Sequence, residues 1–94
     1  MSVLEAEKHY DNEGDVLYLT LQPGKPGVAE ESLPGVLLRY SPDTRDLVGI
    51  TILEFVDYWI KNLDVLVLDL DKHLNIGKHK VELLLSSDVP TTPA

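Results

Sequence analysis

The order of apolar patterns along this chain predicts an α+β fold, an antiparallel β-meander of two hairpins covered by a C-terminal helix. Up to Leu53, short apolar runs alternate with polar residues and are separated by turn chemistry. From Glu54 the apolar spacing changes to that of a helix. The 94 residues suffice for one domain with one modest core.

Residues 4–10 alternate and end in His9-Tyr10, as a first strand does. Asp11-Asn12-Glu13-Gly14 then supplies a turn: Asp and Asn accept bonds from nearby amides, and Gly tolerates a positive φ. In Val16-Leu17-Tyr18-Leu19-Thr20-Leu21, Leu17, Leu19 and Leu21 share one face, and Val16, Tyr18 and Thr20 the other. The two strands make a hairpin.

Gln22-Pro23-Gly24-Lys25-Pro26-Gly27 reads as a loop, because proline cannot donate to a ladder. Residues 28–32 suit a short edge strand, and Leu33-Pro34-Gly35 a turn. Val36-Leu37-Leu38-Arg39-Tyr40 and Leu47-Val48-Gly49-Ile50-Thr51-Ile52-Leu53 form a second hairpin across the polar connection 41–46. Strands linked by turns imply an antiparallel meander.

Beyond the hairpins, Phe55, Tyr58, Trp59 and Asn62 share one helical stripe, with Val56, Ile60 and Leu63 on the next, which predicts a helix over 54–62. In residues 63–76, Leu63, Leu66, Val67, Leu70 and Leu74 keep helical spacing, and Asn62 is placed to cap them. The run Val65-Leu66-Val67-Leu68 also suits a buried strand, and periodicity alone does not separate the two; helix or loop is the preferred reading. Residues 80–85 resemble an extra C-terminal strand. The single domain therefore divides into a hairpin core (1–53), a helix with its extension (54–85) and a frayed tail (86–94).

The pattern in the first half resembles a bacterial family of small proteins catalogued as domain of unknown function 2283. The likeness rests on Tyr10-Asp11, Asp15-Val16-Leu17-Tyr18-Leu19, Gly35-Val36-Leu37, Tyr40 and Leu47-Val48-Gly49-Ile50-Thr51-Ile52-Leu53, and spans about residues 8–53. It implies a small β-sheet with a helix, and no activity, cofactor or catalytic residue. It also implies an occasional genomic neighbourhood with small toxin-like proteins. Two positions depart from the family pattern. Thr51 stands where an acid usually follows the Gly-Ile pair, and Arg45 lies near a turn that tends to carry Gly. If the Arg45 position is left-handed, Arg costs on the order of 1 kcal/mol relative to Gly.

Charge and composition narrow the functions. The net charge is −8, with sixteen carboxylates against eight Lys and Arg. Nucleic-acid binding draws on clustered cations that neutralise phosphate, so no nucleic-acid partner is expected. The longest apolar run has four residues, against the ~20 that cross a bilayer, and no basic-then-apolar leader opens the sequence. A cytoplasmic protein that engages no membrane is the expectation. With no cysteine, disulfides, thiolate metal sites and thiol nucleophiles are excluded.

Three constellations merit weighing. Asp11, Glu13 and Asp15 offer hard oxygen ligands, but Gly14 comes too early for an EF-hand and a strand follows at once, so a turn with flanking acids is preferred. His73 and His79 with Asp69 and Asp71 offer mixed ligands, yet histidines six positions apart match no zinc spacing. The serines show no nucleophile elbow, and no phosphate loop is present. The expectation is no enzyme, no metal and no cofactor. Phe55, Tyr58 and Trp59 read as core or as a subunit contact, since one short helix leaves much of a meander uncovered. The leading reading is a noncatalytic homodimeric interaction module with Phe55, Tyr58 and Trp59 near the contact. The alternatives are an acidic inhibitor or antitoxin of a basic protein partner, and a small metal- or ligand-binding enzyme.

Overall fold

A computed structural model describes residues 7–86. Five strands form one antiparallel sheet: β1 (Glu7–Asp11), β2 (Val16–Thr20), β3 (Val28–Leu33), β4 (Val36–Tyr40) and β5 (Leu47–Leu53). A π-helical turn (Phe55–Trp59) and a 3-10 turn (Ile60–Asn62) lead into α1 (Leu63–Leu74), and α2 (Lys78–Ser86) follows. The α+β class and the hairpins are as the sequence predicts.

Spatial order along the sheet is β1-β2-β5-β4-β3. The first hairpin therefore lies beside β5, and residues 21–27 carry the chain from β2 to the far edge. Three strand spacings are about 14 Å, well within reach of seven residues. The loop is fastened where Leu21 and Gln22 both donate their amides to the Val48 carbonyl, at 2.9 and 3.1 Å. It passes so close to the sheet that a Cβ on Gly27 would stand 2.8 Å from Val48 Cγ2 and 3.0 Å from Arg39 Cβ.

Strand alternation sorts the sheet into two faces. Leu17, Leu19, Val36, Leu38, Ile50 and Ile52 point inward and are buried, together with Phe55, Trp59, Leu66, Val67, Leu70, Val81, Leu84 and Leu85 from the helical layer. The register places His9, Tyr18, Thr51, Leu37 and Glu31 in one row on the opposite face, and Thr20, Gly49, Arg39 and Ala29 in the next. The helical segments all supply residues to the inner core, so the outer face has no layer over it among the described residues.

The C-terminal strand expected over 80–85 is instead α2. Val81, Leu84 and Leu85 fall at i, i+3 and i+4, so a helix buries all three on one side, whereas a strand would split Leu84 from its neighbours. Residues 63–76 resolve to α1, with Leu66, Val67 and Leu70 buried. Asn62 occupies the N-cap position without capping: its Nδ2 donates back to the Tyr58 carbonyl at 2.9 Å. The first six residues and the tail predicted over 86–94, apart from Ser86, lie outside the described residues.

Candidate functional site

Two places bring chemistry-bearing residues together, and the first is the junction between the first hairpin and the helical layer. The β1–β2 turn closes with Glu13 donating its amide to Asp11 Oδ1 at 3.1 Å, as the turn reading expects. The positive φ falls on Asp15 (55°) and not on Gly14. Asp tolerates that conformation, and here it turns the carboxylate toward the start of the π-helical turn. Asp15 Oδ1 accepts from the Tyr10 hydroxyl at 2.6 Å and from the Val56 amide at 2.8 Å, while Oδ2 accepts from the Asp57 amide at 2.9 Å. The Asp15 carbonyl accepts from Phe55 N at 3.0 Å.

This cluster sets two ionisations. Burial pushes the Asp15 carboxyl up, but the bonds from Tyr10, Val56 and Asp57 outweigh it and hold the group below its ordinary range. The bond to Asp15 comes first in pushing Tyr10 up to about 12, helped by burial and by the charges of Asp15 and Asp11. The Tyr-Asp…Asp motif is thus a brace that satisfies helix-start amides.

The second place is a pocket of about 280 Å³ lined by Pro34, Glu54, Tyr58 and Trp59. It forms where the β3–β4 turn meets the chain leaving β5. Glu54 has φ 54°, a left-handed kink that ends the strand and starts the helical segment. Its carbonyl accepts from both Tyr58 N (2.9 Å) and Trp59 N (3.2 Å), and the wider π turn sets Tyr58 edge-on to Trp59 with ring centroids 4.8 Å apart. Tyr58 is 50% exposed and Trp59 only 4%. Of the three residues expected at a subunit contact, Phe55 and Trp59 lie in the chain's own core, and Tyr58 alone faces solvent. The physical reason is cover: α1 and α2 complete a helical layer that the sequence reading credited with one short helix.

Of the acids and histidines weighed as ligands, Asp69, Asp71 and His73 are engaged separately. Asp69 accepts from the Ser32 hydroxyl at 2.7 Å, and Asp71 Oδ1 accepts from the amides of Ile76 and Gly77 at 3.1 and 2.8 Å, closing the C-terminus of α1. His73 Nδ1 lies 3.3 Å from the Tyr40 hydroxyl. Among the described residues no three His, Asp or Glu side chains converge in a metal-holding group, and no helix is long and apolar enough to cross a membrane.

Sequence reasoning missed Arg39. It shares the outer face with Gly49, and a Cβ on Gly49 would meet the Arg39 guanidinium at 2.2 to 2.9 Å. The missing side chain is the slot in which the guanidinium lies, and Arg39 Nε is buried there without a hydrogen-bond partner. A strand glycine opposite an arginine was the available signal.

A family model with the description "Protein of unknown function (DUF2283)" matches residues 9–55. No curated protein and no solved structure matches the chain.

Proposed function

The chain belongs to this family, protein of unknown function DUF2283, and from that premise we propose that it is a noncatalytic interaction module that pairs with a second copy through the bare face of its sheet. The observation that carries this reading is the one-sided cover. Tyr18 and Leu53 are 38% and 39% exposed on the outer face, with Val16 and Leu37 half-buried beside them. His9 stacks on Tyr18 with centroids 6.0 Å apart, which makes a flat aromatic surface at one side.

A second copy suits this face because its ends are complementary. The row runs from His9 through Tyr18, Thr51 and Leu37 to Glu31. A two-fold axis along β5, between two facing sheets, sets the His9 end of one copy over the Glu31 end of the other. Five strands ~4.8 Å apart and about five residues long present a footprint on the order of 400 Å². That is small for a stable interface, so the dimer is weak. The noncatalytic part is supported by the carboxylates themselves, since Asp15, Asp69 and Asp71 are each committed to structural hydrogen bonds.

Light scattering across a concentration series tests the proposal. The mass is expected to rise toward twice that of the chain by about millimolar concentration. Tyr18→Asp and Leu53→Asp, both outside the core, are expected to hold it at the monomer with unchanged melting. A wild-type chain that remains monomeric throughout would sink the reading.

A further inference from the structure

We propose that the pocket of Pro34, Glu54, Tyr58 and Trp59 receives an arginine or lysine side chain from a basic protein partner. This goes beyond the dimer and stands apart from it, because the pocket is built by the β3–β4 turn and the π turn and not by the open face.

Four observations converge on that ligand. The first is an available donor. Trp59 lines the pocket, and its Nε1–H has no hydrogen-bond partner among the described residues. An indole N–H is enriched at contacts where it finds an acceptor. Nε1 stands 3.9 Å from where a Cβ on Gly35 would be, beside a turn whose lack of side chain leaves the approach open. A backbone carbonyl of an incoming peptide is the acceptor that fits.

The second is charge. The Glu54 side chain is exposed and makes no ion pair or hydrogen bond among the described residues, while its own backbone is held at φ 54°. Asp57 is exposed one turn on, and Lys61 is the lone cation between residues 54 and 62. The third is the Tyr58 ring, half exposed and edge-on to Trp59, which leaves a face for a cation. The fourth is size. At about 280 Å³ the pocket falls just under the ~300–1,000 Å³ of whole-ligand sites, and so suits a single side chain. A partner with a basic surface is also steered toward a molecule of charge −8.

Trp59 is the only tryptophan, so its indole resonance reports on this pocket alone. The experiment is an NMR titration at low salt with a blocked Gly-Arg-Gly-Arg-Gly peptide, with the same peptide carrying glutamate as control. The arginine peptide is expected to shift the indole N–H signal saturably, and the glutamate peptide to leave it in place. Glu54→Gln should weaken binding about fivefold, with Tyr58→Ala weakening it as well and both variants keeping the wild-type circular dichroism. The proposal is overturned if the indole signal does not move at millimolar peptide, or if Glu54→Gln binds as wild type. Two further outcomes also overturn it. Blocked arginine alone binding as tightly as the peptide would make this a small-cation site, and a shift with protein concentration alone would assign the pocket to a second copy. Because the readout is the indole and not the mass, failure here and failure of the dimer are distinguishable.

Discussion

Asp15 joins three elements with one side chain, and its ionisation ties the fold to pH. Because its folded pKa is depressed, the stability it contributes is present above about pH 4, the ordinary carboxylate value, and is lost as pH falls through the folded value. Tyr10 behaves oppositely. Its raised value of about 12 means that its contribution is full below about pH 10 and lost as pH rises through 12. Asp15→Ala is expected to cost about 2–3 kcal/mol in urea unfolding at pH 7 and to flatten the acid limb. Tyr10→Phe should remove the alkaline limb and, in an ultraviolet titration, the tyrosine that ionises near pH 12. Gly49 and Arg39 form the other coupled pair. Gly49→Ala is expected to destabilise the wild type by about 1 kcal/mol as the guanidinium leaves its slot, and to be neutral or stabilising in an Arg39→Ala background. Equal costs in both backgrounds would show that the slot is not what the glycine provides.

Among the elements, the β4–β5 turn and α2 carry the clearest tests. Arg45 has φ 65°, a left-handed conformation that favours glycine. Arginine compensates through an ion pair to Glu30 at 2.8 Å and a guanidinium 5.2 Å from the centre of the Tyr40 ring. Both partners are more than half or about half exposed, at 61% and 50%, so the pair is worth little. Arg45→Gly should therefore raise stability by about 0–1 kcal/mol; a loss beyond that range would mean that the side-chain contacts outweigh the strain. For α2, helix and strand make opposite demands. Leu84→Ala is expected to cost about 2–4 kcal/mol and Leu83→Ala under ~0.5 kcal/mol, since Leu84 is buried and Leu83 is exposed. Were the segment a strand, Leu83 would share a face with buried Val81 and Leu85 and the two costs would reverse.

Over the whole molecule, the question is what covers each face of the sheet. The helical layer closes one side and leaves Tyr18, Leu53 and their neighbours on the other. Salt separates the two proposed associations. Copies that each carry −8 repel, so added salt should strengthen the dimer as the Debye length shortens to about 10 Å at 0.1 M. The same salt should weaken binding of the arginine peptide. A dimer that dissociates in salt would point to charge pairs, and not apolar cover, as its basis.

Local chemistry alone determined the strand assignments up to Leu53, the turn at Asp11–Gly14, the α+β class and the family likeness. Alternation and turn residues act between neighbours, so they are legible without coordinates. The resemblance also raised a left-handed conformation near residue 45, which Arg45 adopts. The sequence did not reveal that β5 lies between β2 and β4, because strand order is decided by distant pairing. The fates of residues 63–85 were equally beyond it, since a short apolar run satisfies helix and strand alike until something packs against it. Tertiary structure alone decided that Asp15 braces the helix start 41 and 42 residues away in the chain, that Phe55 and Trp59 belong to the core, and that Arg39 lies over Gly49. Each depends on which surfaces meet, and the meeting is set by the sum of buried area over the whole sheet rather than by any one segment.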